Sequence, residues 1–196
     1  MEFKLNGNTI NYDGDPELSL MNYLRDIKDI ISPKDGCAPE GVCGCCTVLM
    51  DGNALKACIA PMRRIEGKEI ITMEGLDPNK KESIVNAFAI EGGLQCGFCT
   101  PGIIMKVWPI INQGFLTEKE INKALNSNLC RCTGYKKITK SCLTAAEALR
   151  NNSKIDIPMS SGKVGESLPK YDSIRLAKGE APYVADLKFE GMLHGA

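Results

Sequence analysis

Ten cysteines supply most of the chemistry available to this chain of 196 residues. Eight of them fall into two groups of four, with the close spacings that metal sites show. The first group is Cys37, Cys43, Cys46 and Cys58, and the second group is Cys96, Cys99, Cys130 and Cys132. Four thiolates per group predict two separate [2Fe–2S] clusters. The chain is therefore predicted to carry electrons.

The first group lies on a glycine-rich stretch, residues 36–46, and its fourth cysteine follows a predicted hairpin. Glycines let backbone N–H groups approach the sulfurs of an anionic cluster closely. A three-residue turn over Asp51-Gly52-Asn53 is expected to place Cys46 opposite Cys58, because facing residues of paired strands lie within roughly 5.5 Å. The spacing C-x5-C-x2-C plus one distant cysteine is close to the plant-type C-x4-C-x2-C pattern. A plant-type cluster is predicted here.

Each cysteine pair of the second group immediately precedes a predicted helix. Cys96 and Cys99 lead into Thr100-Pro101, and Cys130 and Cys132 lead into an apolar stripe over residues 138–149. A helix N-terminus offers free N–H groups and the positive end of a dipole, which suits an anionic cluster. If both helices begin at the same point of the bundle, the two cysteine pairs lie together although about 30 residues of chain separate them.

A zinc site built from the same thiolates is the alternative interpretation. Zinc sites usually show two short C-x2–4-C knuckles, whereas the first group has three cysteines in one loop and one alone. This difference favours iron and sulfide. Cys45 could replace either neighbouring ligand, although a non-ligand role is favoured. Cys142 falls on an apolar helix face and is expected to be a buried structural thiol.

Two aromatic residues and one histidine lie near these groups or near the C-terminus. Phe98 and Tyr135 could shield the second cluster from water, but ordinary core packing is favoured for both. His194 is the single histidine and is expected on the surface.

The elements that must position the cysteines divide the chain into four segments. Residues 1–75 show strand alternation around one helix, which starts at Asp15-Pro16 by its cap signal, so a small α+β domain is predicted. Residues 76–150 change to helical periodicity and predict a compact bundle of four helices. Residues 151–165 have the polar composition of a linker, and residues 166–196 resemble the incomplete start of another domain.

Composition argues against several other classes of function. The 24 basic and 24 acidic residues balance, so no attraction to nucleic acid or an anionic membrane is expected. No apolar run approaches the length of a transmembrane helix, and the N-terminus shows no export signal. A cytoplasmic location is expected, where thiols stay reduced and disulfides are rare.

Three motifs resemble the iron–sulfur subunit of the molybdenum hydroxylases: Gly-Val-Cys-Gly-Cys-Cys-Thr-Val over residues 41–48, Gln-Cys-Gly-Phe-Cys-Thr-Pro-Gly over residues 95–102, and Asn-Leu-Cys-Arg-Cys-Thr-Gly-Tyr over residues 128–135. This family contains xanthine dehydrogenases, aldehyde oxidoreductases and carbon monoxide dehydrogenases of the molybdopterin type. The resemblance implies an N-terminal β-grasp plant-type ferredoxin domain followed by an all-α four-helix [2Fe–2S] domain. Residues 166–196 are similar to the start of the family's molybdenum-binding, hammerhead-like domain, which implies a fused polypeptide.

The resemblance also implies a relay. Electrons would leave a molybdenum centre, cross the helical-domain cluster and then the ferredoxin-domain cluster, and reach a flavin or another acceptor. Molybdopterin and FAD are expected on partners, a molybdenum-binding large subunit or domain and an FAD-binding subunit. In the family, the residues at the positions of Gln95 and Cys132 approach the pterin. Oxidation of xanthine and other purines, or of aldehydes, would belong to the partner, so no catalytic residue is expected in this chain.

Two other classes of function stay open at this point. One is a free-standing, soluble carrier with two clusters and no enzyme partner, and the other is a zinc-stabilised interaction module. One departure from the family pattern also stands out: five residues, 38–42, separate the first two cysteines where the family usually has four. The Ala-Pro-Glu-Gly-Val form of this spacer resembles the branch of selenium-dependent xanthine dehydrogenases.

Overall fold

The protein's computed structural model describes residues 1–111 and 116–193. Within these ranges the strands lie in the first 75 residues and nearly all helical residues follow, so the predicted α+β class is confirmed. The strands are β1 (Glu2–Leu5), β2 (Asn8–Asn11), β3 (Thr47–Met50), β4 (Asn53–Lys56) and β5 (Glu69–Ile71). The α-helices are α1 (Leu20–Asn22), α2 (Pro78–Glu91), α3 (Thr100–Ile111), α4 (Glu118–Leu125), α5 (Lys136–Arg150) and α6 (Ser173–Lys178). None of the helices in the described ranges could span a bilayer.

The strands form one mixed sheet in the order β2-β1-β5-β3-β4. β1 runs antiparallel to β2 and parallel to β5, whereas β3 runs antiparallel to both β4 and β5. Alternation along β1 turns Phe3 and Leu5 into the core and leaves their neighbours exposed. One face of the sheet is covered by α1 together with the turns around residues 57–65. On the other face, Leu49 of β3 packs into the helical core, so β3 is buried on both sides.

The first helix begins later than its sequence signal suggests. The Asp15 carboxylate accepts a hydrogen bond from the backbone N–H two residues on and closes a local turn, so it does not cap a helix. Ser19 is the cap instead, and its Oγ accepts the N–H of Asn22 at 3.1 Å. The predicted start at Asp15-Pro16 is therefore wrong. From Tyr23 to Ile27 the helix widens to π geometry.

Two of the later helices, α2 and α4, begin at residues whose side chains cap them. The Asp77 side chain caps α2, and Gly92 ends it in a left-handed conformation at φ 66°. Thr117 and Glu120 form a complete capping box at the start of α4. These local signals involve only a few neighbouring residues, so the sequence alone defines them.

Two hydrophobic cores occupy the described residues. One lies between the sheet and α1, and the other lies among α2, α3, α4 and α5. Leu176 and Ala177 of α6 are buried in the second core. The C-terminal segment thus folds back onto the preceding 150 residues, which the sequence did not indicate.

Gly102 lets the start of α3 touch the cysteine loop. A Cβ at this position would lie 2.5 Å from the carbonyl oxygen of Gly44 and 2.8 Å from that of Cys45. We expect Gly102→Ala to lower the free energy of unfolding by roughly 2 kcal/mol, because backbone atoms must move apart to admit the methyl group. Denaturation in urea measures the change. Lys106→Ala on the same helix is the control, with an expected change below about 0.5 kcal/mol. Equal stability of the two variants would contradict the close contact.

Candidate iron–sulfur centres

The first cysteine set occupies a loop and a short turn beside the sheet. Cys37, Cys43 and Cys46 lie on the loop before β3, and Cys58 lies in the 3-10 turn Ala57–Ile59 after β4. Three of these thiols are buried, and that of Cys37 is half-buried. The two-strand hairpin between them carries the distant cysteine back to the loop.

The hairpin register differs by one residue from the prediction. Asp51 and Gly52 both adopt positive φ and form a two-residue turn, which pairs Thr47 with Lys56. Cys46 therefore faces Ala57, whose N–H donates to the Cys46 carbonyl at 3.2 Å. The prediction that strand pairing sets Cys46 directly opposite Cys58 is wrong, because it assumed a three-residue turn.

The thiols of the first set nevertheless meet in pairs. The free thiol of Cys37 is in hydrogen-bond contact with that of Cys43, and the free thiol of Cys46 with that of Cys58. Burial raises the pKa of Cys46 to about 12. Burial also acts to raise the pKa of Cys37, but N–H donors from residues 41–43 outweigh it and leave that pKa below its usual value. The loop thus presents its amides to a sulfur, as the glycine-rich sequence predicts.

The second set joins the starts of two helices. Cys96 and Cys99 lie in the turn before α3, and Cys130 and Cys132 lie in the turn before α5. The Sγ atoms of Cys96 and Cys132 are 3.6 Å apart. A hydrogen bond from Cys99 lowers the pKa of Cys130 to about 5, and the Thr133 hydroxyl lies 3.1 Å from the same sulfur. Here too the thiols meet in pairs, one from each turn.

Pairwise contact is the arrangement that a two-iron cluster requires. Each iron of a [2Fe–2S] cluster takes two thiolates, and the remaining positions belong to bridging sulfides. Over residues 1–111 and 116–193, no three cysteine, histidine or carboxylate side chains converge closely enough to hold a single metal ion. The donor chemistry and the pairing of both sets fit a [2Fe–2S] cluster.

Cys45 lies on the side of the loop that faces the second set. Its thiol is buried, and burial raises its pKa. A Cβ built on Gly36 would lie 3.2 Å from Cys45 Sγ and 3.3 Å from the Phe98 ring, so both groups flank the same glycine. The ionised Cys45 thiol would also raise the pKa of Cys99. The Cys45 thiol also contacts that of Cys43, so the non-ligand role of Cys45 stays a prediction.

One exposed edge of the second set carries Gln95. Its Nε2 donates to the Cys132 carbonyl at 2.9 Å, and both residues are exposed, as is Cys96. Cys130 is buried at the opposite end of the set. A partner molecule can therefore reach this set through Gln95, Cys96 and Cys132.

Tyr135 orders the turn that carries Cys130. Its hydroxyl accepts the Cys130 N–H at 2.9 Å and donates to the Asn128 carbonyl at 3.1 Å. Its ring packs against the helical core. Cys142 is fully buried in the same core, and burial raises the pKa of its thiol to about 12.

His194 lies outside the described residues.

Asn128 and Leu129 connect the two sets. The Leu129 N–H donates to the Cys43 carbonyl at 2.8 Å. This hydrogen bond connects a ligand candidate of the first set directly to the residue before Cys130. Asn128 is buried, and its Nδ2 donates to the carbonyls of Gly44 at 2.9 Å and Gly102 at 3.3 Å. Sequence reasoning missed both contacts, because they join residues far apart in the chain.

Comparison with known proteins agrees with this geometry. Residues 72–143 match the family model of the [2Fe-2S] binding domain, which contains all four cysteines of the second set. The chain is 42% identical over 147 residues to the xanthine dehydrogenase iron-sulfur-binding subunit of Escherichia coli O157:H7, a match covering 73% of this chain and 91% of that subunit. The chain belongs to the iron–sulfur subunits of the molybdenum hydroxylases. The second set therefore lies in a [2Fe–2S]-binding domain.

Other members of the molybdenum hydroxylase family are much longer than this chain. A xanthine dehydrogenase of Emericella nidulans is 41% identical over 151 residues, which cover 70% of this chain but 11% of the fungal protein. The aldehyde oxidoreductase structure from Desulfovibrio desulfuricans superposes with a TM-score of 0.85 at 30% identity and covers 94% of this chain and 21% of its own. The iron–sulfur part thus occurs both as a separate subunit and within a longer chain.

The Asn128 contacts can be tested by stability. We expect Asn128→Ala to lower the free energy of unfolding by about 2 kcal/mol, because it leaves two buried carbonyls without a donor. Asn126→Ala, at an exposed position two residues earlier, is the control and should change stability by less than about 0.5 kcal/mol. Urea denaturation measures both. An Asn128→Ala variant with the same free energy of unfolding as the wild type would show that the two loops do not depend on this side chain.

Proposed function

We propose that this chain relays electrons within a molybdenum hydroxylase that oxidises xanthine and other purines, or aldehydes. Electrons would arrive from a molybdenum centre on a partner and leave to a flavin or another acceptor. The observation that carries the proposal is the presence of two sets of paired thiols, separated by one backbone hydrogen bond from Leu129 to Cys43. The chain itself makes and breaks no substrate bond.

The proposal includes the ligands and the domains that hold them. The ligands of the two [2Fe–2S] clusters are Cys37, Cys43, Cys46 and Cys58 for the first, and Cys96, Cys99, Cys130 and Cys132 for the second. The first would lie in a β-grasp ferredoxin domain, residues 1–75, and the second in a four-helix domain, residues 76–150. Most residues of each hydrophobic core come from one side of the boundary at residue 75, and this supports the division, although Leu49 and Met73 pack into the helical core. Residues 151–165 would be a linker, and residues 166–196 the start of a molybdenum-binding domain.

The residues around each set would adjust a bound cluster. Such a cluster supplies one-electron oxidation and reduction. N–H groups of residues 41–43 donate toward the Cys37 sulfur and would stabilise negative charge there. The N-terminal turn of α3 brings free N–H groups and the positive dipole end close to Cys99. Burial of Cys46 and Cys130 limits contact with water and so affects the potential.

The exposed edge of the second set supports the direction of the relay. Gln95 and Cys132, joined by a 2.9 Å hydrogen bond, are the positions that would approach a molybdopterin on the partner. The first set would then pass electrons on toward an FAD-binding subunit. Ten cysteines without a disulfide among the described residues are typical of a reducing compartment, which supports a cytoplasmic location. The assignment to the selenium-dependent branch stays a prediction from the five-residue spacer.

Cysteine variants test the ligand sets. The chain purified without oxygen should contain about four irons and as many inorganic sulfides, and give two distinct EPR signals when reduced. Cys99→Ser should remove one signal, Cys46→Ser should remove the other, and Cys45→Ser and Cys142→Ala should keep both. Zinc in place of iron, or a Cys99→Ser chain with both signals, would refute the assignment.

Purification from the native host tests the partner. A tagged full-length chain should bring with it a protein that contains molybdopterin. Gln95→Ala should weaken this association or slow reduction of the second-set signal by substrate, whereas Asn79→Ala, at an exposed amide side chain on α2, serves as the control. A chain that carries both clusters and never co-purifies with molybdopterin would instead be a free-standing carrier.

A further inference from the structure

The C-terminal segment ends in contacts with the second cysteine set. We use the name clasp for residues 173–186, which run from α6 through the 3-10 turn Val184–Asp186. Leu176 of α6 packs closely against the turn of the second set, since a Cβ on Gly97 would lie 2.6 Å from the Leu176 Cβ. The clasp therefore touches the segment between Cys96 and Cys99.

Asp186 fixes the far end of the clasp through two cations. Its carboxylate lies 2.7 Å from Lys34 Nζ and 2.7 Å from Arg25, and the side chains of Lys34 and Asp186 are each 1% exposed. Removing one partner from such a buried ion pair is strongly destabilising, because a charge is left without compensation. Lys34 also donates its backbone N–H to the Cys45 carbonyl. The ion pair of Asp186 with Lys34, which anchors the clasp, therefore lies directly beside the first cysteine loop.

Tyr183 covers the second set between these two attachments. Its hydroxyl donates to the Cys96 carbonyl at 2.6 Å, and its ring meets the Phe98 ring edge to face at a centroid distance of 5.1 Å. Lys34 Nζ lies 4.9 Å from the centre of the Tyr183 ring. The N–H of Tyr183 donates to Asp186, so the anchor also sets the position of the aromatic ring. These contacts hold the Cys96 peptide and keep water from one side of the turn.

We propose that the clasp controls the exposure to water of the cluster at the second set, and that Tyr183 is the positioning residue that lowers the reduction potential of this cluster. The proposal rests on the proposed function, because it requires a cluster at Cys96, Cys99, Cys130 and Cys132. A cluster gains negative charge when it is reduced, and water stabilises that charge. Opening the clasp therefore makes reduction easier, and the first set keeps its potential because Tyr183 does not contact its ligand candidates.

The test uses the full chain with both clusters and follows each EPR signal in a redox titration. Tyr183→Phe, which loses the hydroxyl, and Tyr183→Ala, which also loses the ring, should raise the midpoint potential of the second-set signal in that order. The first-set signal should not move. Tyr171→Ala is the matched control, since Tyr171 lies two residues before the clasp and is 96% exposed. A Tyr183→Ala midpoint equal to the control, or an equal shift of both signals, would overturn the proposal.

Hydrogen–deuterium exchange supplies a readout that does not depend on activity. Amide exchange over residues 173–186 should rise about fivefold in Tyr183→Phe, as loss of one hydrogen bond implies, and further in Asp186→Asn. Asp156→Asn, at an exposed acid outside the clasp, is the control. Faster exchange with no change of midpoint would show a purely structural clasp and overturn the proposal. A wild-type chain without any second-set signal would contradict the proposed function itself.

Discussion

Contact of backbone with backbone between the cysteine loop and the start of α3 decides where both cysteine sets lie. The carbonyls of Gly44 and Cys45 approach Gly102 so closely that no larger residue fits without movement. The same carbonyl of Gly44 accepts a hydrogen bond from Asn128, and the Cys43 carbonyl accepts one from Leu129. Three segments of the chain thus meet at one point. The position of each cysteine set therefore depends on contacts with the segment that carries the other set.

The chief electrostatic problem of this arrangement is the concentration of thiols. Burial raises the pKa values of Cys46, Cys58 and Cys96, and contact with Cys130 raises that of Cys99, so bare thiolates at these positions are costly. Binding of a metal cluster must therefore displace protons, and its positive irons offset the charge that the protein alone cannot stabilise. The same burial that disfavours thiolates keeps water from a bound cluster. For Cys46 and Cys58 both effects follow from packing in the core between the sheet and α1.

The sequence patterns predicted those parts of the structure that depend on residues close together in the chain. The spacing within the two groups of cysteines and the turn that starts at Asp51-Gly52 are signals within a few residues. The register between Cys46 and Cys58 was missed by one residue, because a two-residue and a three-residue turn share the same Asp-Gly signal. Tertiary contacts were out of reach for a similar reason: nothing near Asp186 in the sequence indicates that Lys34, 152 residues away, lies against it.

The central claim is that this chain holds two centres that each exchange one electron. Reductive titration of the anaerobically purified chain with a counted reductant tests it most directly. Two [2Fe–2S] clusters predict uptake of about two electrons per chain, in two one-electron steps that deplete two different optical or EPR species. Uptake of about one electron, or of none, would contradict the claim.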